Sequence, residues 1–190
     1  MTADERRAQL LDVAAPLFAD LGFHGLSMEH LADAAGVSKP VLYQHFPGKR
    51  ELYLALVDDA VAELEDRVRQ ALDGTTDNRD RVHGAIAAYV EFVEDHRFPL
   101  LFGPAGPADD DVRDTVLAAT ERVAEAVGSL IAEDAGLDVP AALLLSAALR
   151  GLATEGARWY ADRPEVDRAE AVRLLSRLAW RGIGGFSPDP

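Results

Sequence analysis

Lys39, Pro40, Tyr43 and Gln44 lie within six residues of one another, and their side chains suit the edges of base pairs. Gln44 offers a donor and an acceptor, the pattern adenine presents in the major groove. Lys39 can donate to guanine, and Pro40 gives an apolar surface to a thymine methyl. Around them stand groups suited to phosphate oxygens: the Ser27 and Ser38 hydroxyls, Tyr43, His45 and Lys49. Lys49 opens an expected helix, where unpaired amide donors and the helix dipole add to its charge. Plainer roles exist for each. Ser27 and Ser38 suit helix N-caps, Tyr43 the rim of a small core, and His45 an ordinary surface position. The joint spacing carries the weight rather than any one residue.

Such residues need a short helix that shows them on one side. Ser38 can cap a helix from Lys39 to about His45, with Pro40 tolerated in the first turn because amides there have no intrahelical partner. Ser27 can cap another from Met28 to Ala35, closed by Gly36. Before it, Thr2-Ala3-Asp4-Glu5 has capping-box spacing, and Leu10, Ala14, Leu17, Phe18 and Leu21 recur at helical intervals until Gly22. Pro16 inside this run predicts a kink, or a break near Ala15. The second and third helices, joined through "AGVS", make a helix-turn-helix pattern, in which the second helix of the pair enters the major groove. Ala32, Ala34 and Ala35 leave room for close crossing. Leu31, Val37, Leu42 and Phe46 supply the apolar contacts that would seat the third helix.

The rest of the 190 residues also reads as helix. A long helix is expected from about Gly48 to Leu72, with Tyr53, Val57, Ala60, Val61, Leu64 and Val68 on one face. "DGTTDN" breaks it, and a fifth helix follows from about Arg79 to His96. "RFPLLFGPAGP" is too rich in proline and glycine for more than a turn or two. Further helices are expected from Asp109 to about Asp134, from Pro140 to about Ala161, and from Asp167 to about Gly182. The fold class is therefore all-α, with about nine helices: a three-helix helix-turn-helix domain over 1–47 and a larger helical domain over 48–190.

Charge divides the chain. Residues 1–50 carry five basic against six acidic side chains, and residues 51–190 fourteen against twenty-seven, for a net charge of -14. An acidic body repels a polyanion, so contact with nucleic acid is confined to the near-neutral N-terminal part, which holds both lysines of the chain. With no cysteine, disulfides and thiolate chemistry are excluded. No glycine-rich phosphate loop or metal-spaced histidine cluster points to an enzyme, a metal or a cofactor. "DDD" at 109–111 is better explained as an acidic helix start than as a cation site. No apolar run reaches a membrane span and no signal peptide is read, so a cytoplasmic protein is expected.

The stretch "LLDVAAPLFADLGFHGLSMEHLADAAGVSKPVLYQHFPGKRELYLALV", Leu10 to Val57, resembles the tetracycline-repressor (TetR) family, most diagnostically in "LADAAGVSKPVLYQHF" and "GKRELY". By this resemblance Ser27, Ser38, Tyr43, His45 and Lys49 fall on motif positions that commonly touch phosphate, and Lys39, Pro40 and Gln44 on positions that face bases. The resemblance implies a homodimer on a near-palindromic double-stranded operator, a small-molecule effector, and most often repression relieved by ligand.

It also implies that "SAALRGLATEGARWY" and "AEAVRLLSRLAWRGI" belong to two long helices that form a four-helix bundle with the dimer mate. On these, Ala148, Gly151, Leu152 and Glu155 lie on one side, and Leu174, Arg177, Leu178 and Arg181 form a stripe. The alternative is that both helices close only the subunit's own core. For the effector, Tyr89, Phe92 and His96 follow helical spacing, Phe98 and Phe102 suit a lid, and Trp159 lies late in the eighth helix. Together they suggest a largely apolar cavity and a hydrophobic ligand; each could equally be a core aromatic. Two other readings of the whole chain are a helical small-molecule-binding protein and a protein-interaction module, neither with operator-specific DNA binding.

Overall fold

The computed structural model describes residues 2–95, 97–102 and 110–182; within its helices the side chains of Phe98, Phe102 and several residues of 110–135 are outside that description. Among the described residues every regular element is helical: α1 Ala3–Gly25, α2 Met28–Ala34, α3 Lys39–His45, α4 Lys49–Asp73, α5 Asn78–Phe92, α6 Phe98–Phe102, α7 Asp110–Ala135, α8 Val139–Ala161 and α9 Arg168–Arg181. The chain forms two compact units, one of residues 1–62 and 96–118, the other of residues 63–95 and 119–190.

In the first unit the capping box is present: the Thr2 hydroxyl accepts from the Glu5 amide at 3.2 Å, and the Thr2 amide donates to the Glu5 carboxylate at 2.7 Å. The break expected near Ala15 is not found. Helical dihedrals run on through Pro16, and the backbone departs from them at Gly22, with φ 68° and ψ 172°. Pro16 and Asp12 are both exposed. The carbonyl that loses its intrahelical donor at Pro16 is that of Asp12, on the solvent side, where water can replace the bond. Gly22 has no Cβ to oppose a positive φ, so the chain turns there at little cost.

Leu10, Ala14, Leu31, Leu42 and Phe46 close a small core under α1, α2 and α3, as their spacing predicts. The α2–α3 turn is set by Gly36 at φ 64°, and the Val37 amide donates back to the Ala32 carbonyl at 3.0 Å. Ala32 and Ala35 are buried at this crossing, whereas Ala34 faces solvent. Leu52, Tyr53, Leu56 and Val57 of α4 are buried in the same unit.

The second unit is built on α5, whose Ile86, Tyr89, Val90 and Phe92 are buried. Helix α5 ends at Phe92, short of the expected His96, and a turn follows. Glycines permit the close crossings. A Cβ on Gly84 would lie 2.9 Å from the Ala71 Cβ, and one on Gly156 2.7 Å from Leu175. Arg81 ties the α4–α5 connection, its Nε donating to the Leu72 and Thr75 carbonyls at 3.1 and 3.0 Å. The Leu72 carbonyl lies in the last turn of α4, where carbonyls have no intrahelical donor.

Candidate nucleic-acid interface

Helix α3 is seated by one buried side and leaves the other clear. Leu42 is fully buried, while Ser38, Lys39, Pro40, Tyr43 and Gln44 are all exposed, Tyr43 by 47%. Helical geometry does part of this: with Leu42 pointing to the core, Pro40 and Gln44 fall on the far side of the cylinder and Tyr43 on its flank, while Lys39 is left open as the first residue of the helix. Ser27 caps α2, its hydroxyl accepting from the His30 amide at 3.1 Å. Ser38 occupies the N-cap position of α3 without a side-chain cap bond, so its hydroxyl is not committed to the helix.

Three contacts in this unit were not legible in the sequence. The Lys39 ammonium pairs with the Glu29 carboxylate of α2 at 2.8 Å. Hydrogen bonding and charge from Lys39 hold the Glu29 carboxyl below its ordinary range, and the same pair raises Lys39. The Arg7 guanidinium lies 4.3 Å from the Phe46 ring centroid and donates to the His45 carbonyl at 3.3 Å, clamping α1 to the negative end of α3. His45 itself is half-buried. Lys49, assigned to phosphate from its sequence position, is also half-buried: its ammonium donates to the Leu26 carbonyl at 2.9 Å and lies 4.6 Å from the Phe23 centroid. Phe23 packs edge-on against Tyr53, whose hydroxyl donates to the Leu100 carbonyl at 3.4 Å.

The second unit contains a cavity of about 760 Å³, walled almost entirely by apolar side chains of α4, α5, α7, α8 and α9. Tyr89 lines it beside Arg150; burial pushes the Tyr89 phenol up to about 12, an effect Arg150 partly opposes. Leu145 and Trp180, each about half exposed, stand at the cavity wall as well. The other aromatic candidates divide. Phe92 is not in the wall; it is buried in the core, with the Arg67 guanidinium 5.5 Å from its centroid. Trp159 is 55% exposed with Arg163 4.0 Å above it, because it lies on the face of α8 turned away from Ala153 and Ala157. His96 lies outside the described residues, as do the side chains of Phe98 and Phe102.

On α8, Ala148, Gly151 and Glu155 are exposed and Leu152 half-buried; on α9, Leu174 and Arg181 are exposed and Arg177 and Leu178 half-buried. Ala148, Leu152 and Leu178 also line the cavity. Sequence reasoning missed Leu144, one turn before Ala148 and 70% exposed, although its spacing placed it on the same stripe.

A compact helix-turn-helix head with an exposed polar face, and a separate helical unit enclosing an apolar cavity, define a DNA-binding regulator. The chain belongs to the tetR family of bacterial regulatory proteins, whose family model matches residues 10–56. It is 42% identical over 184 residues to the transcriptional activator FasR of Mycolicibacterium smegmatis, covering 95% of this chain and 84% of that one. It is 33% identical over 93 residues to the transcriptional repressor KstR2 of Mycobacterium tuberculosis, covering 49% and 46% of the two chains. The fold is also that of the regulator FadR from Bacillus subtilis, solved with stearoyl-CoA, with a TM-score of 0.77, 17% identity, and 93% and 98% of the two chains covered. The protein is a transcriptional regulator. No helix among its described residues is long and apolar enough to cross a membrane.

Proposed function

We propose that this regulator binds a near-palindromic operator as a homodimer and is controlled by an apolar ligand in the α5–α9 cavity. The observation that carries the DNA part is the exposed row Ser38, Lys39, Pro40, Tyr43 and Gln44 over buried Leu42. In this reading Lys39, Pro40 and Gln44 meet base edges, while Ser27, Ser38, Tyr43, His45 and Lys49 meet phosphates. The exposed apolar stripe of α8, Leu144, Ala148 and Gly151, with Leu174 of α9, is the face that a second subunit would cover. The protein acts as a regulator rather than an enzyme, in the cytoplasm where the chromosome lies.

For the ligand, the support is the cavity: its volume lies within the range of small-molecule sites, and its wall offers few polar groups. A fatty acyl chain has that chemistry, and stearoyl-CoA, the ligand in the FadR structure, supplies a first probe. Ligand acts by population shift, changing operator affinity only by its differential affinity for two conformers. Selection from random duplexes tests the DNA reading: recovery of a palindrome supports it, and no enrichment would leave a ligand-binding helical protein or an interaction module instead.

The sign of regulation has two readings. Family resemblance favours repression relieved by ligand. Activation is favoured by FasR, the activator matched over most of both chains, whereas the repressor KstR2 is matched over about half. Transcription in vitro from a promoter carrying the selected site separates them: transcripts fall on addition of a repressor and rise with an activator.

A further inference from the structure

The DNA-facing surface carries a carboxylate. Glu29 lies in the first turn of α2, and the helix-turn-helix packing brings it to 2.8 Å from the ammonium of Lys39, the first residue of α3. Both side chains are well exposed, 66% and 54%. An ion pair this open contributes little to stability, so folding does not explain it. Nor does general affinity. A carboxylate near phosphates is repelled, and a lysine already neutralised by it adds little to counterion release. Asp33, one turn further along α2, adds a second negative charge toward Lys39.

What the pair does offer is a pattern. An ammonium and a carboxylate held side by side present donors and an acceptor at adjacent points. The major-groove edge of a G·C pair is the complement: guanine O6 and N7 accept, and cytosine N4 donates. An A·T pair puts the thymine O4 acceptor where the cytosine amine would be, and a carboxylate there meets another acceptor instead of a donor. We propose that Glu29 is a specificity-determining residue, which together with Lys39 reads a G·C pair in each half-site. Lys39 donates to guanine and Glu29 accepts from the cytosine amine. This rests on the operator-binding reading above.

The test uses the full-length protein. A site selected with wild type is titrated by fluorescence anisotropy beside versions in which each G·C pair is changed to A·T, and beside an unrelated duplex, across a salt series. Wild type should prefer G·C at one position per half-site by about tenfold or more. Glu29→Ala should reduce that preference below about threefold, tighten binding to the unrelated duplex and steepen its salt dependence. Glu29→Gln, whose amide can donate to the thymine O4 that replaces the cytosine amine, should shift the preference at that position toward A·T. If both variants keep the wild-type G·C preference, the proposal is overturned and Glu29 is only a repulsive surface charge, whether or not general affinity rises. If wild type selects no site, the operator-binding reading falls and this one with it; a selected site with unchanged variant preference defeats this one alone.

Discussion

The Lys49 ammonium donates to the Leu26 carbonyl at 2.9 Å and lies over the Phe23 ring. One lysine thereby joins the start of α4 to the link between α1 and α2, just ahead of the Ser27 cap. Phosphate contact alone does not describe it. Lys49→Ala should lower stability by about 1–3 kcal/mol, the range for a hydrogen bond to a charged group and a lost cation–π contact. Denaturant unfolding checks this. Anisotropy titration across salt checks the phosphate role: binding to every sequence should weaken and the slope fall by about one per head. An unchanged slope would leave Lys49 a structural tie only.

Gln44 is exposed on α3. Gln44→Ala should cost about 1–3 kcal/mol of operator binding and relax preference at one base pair per half-site. Repeating the duplex selection with the variant reads this directly. The same loss on all sequences would mean that Gln44 meets the backbone.

Leu42 is the anchor beneath the reading face, with no exposed surface. Leu42→Ala should destabilise the protein by about 2–5 kcal/mol through lost transfer energy and the cavity left behind. Operator affinity should fall with it, because α3 loses the contact that fixes its orientation. Urea unfolding and anisotropy on the same samples measure both.

Ala85 of α5 lines the apolar cavity. Ala85→Phe should fill part of it at a modest stability cost, since the added ring enters existing space. Stearoyl-CoA, or whichever apolar ligand raises the melting temperature of wild type, should bind at least tenfold more weakly, with operator affinity little changed. Calorimetry and anisotropy make the comparison.

Burial raises the phenols of Tyr53 and Tyr89 from 10.0 to about 12. The folded state thus holds these protons more tightly than the unfolded chain. Their contribution to stability is complete below pH 10 and is lost as pH rises through about 12. Urea midpoints should fall over this window, and less steeply in Tyr89→Phe. A midpoint independent of pH up to 12 would contradict the burial of both hydroxyls.

The sequence by itself determined what acts over three or four residues. Thr2, Ser27, Ser38 and Asp167 mark helix starts, Gly22, Gly36 and Gly182 mark ends, and periodic apolar residues mark the buried faces; each signal is local, so the longer helices and the head were legible. Part of the outward row on α3 followed from the same periodicity, because burying Leu42 puts Pro40 and Gln44 on the opposite side, whereas Lys39 is open through its place at the helix start. Tertiary packing decided the rest. Whether an aromatic lines a void or fills the core depends on how five helices cross, and this separated Tyr89 from Phe92 and Trp159. Packing likewise brought Glu29 to Lys39 and Lys49 to Leu26, pairs ten and twenty-three residues apart, for which no local spacing rule exists. Pro16 belongs to both levels: its missing amide was plain in the sequence, but only packing decided that the freed Asp12 carbonyl would face solvent and the helix would not break there.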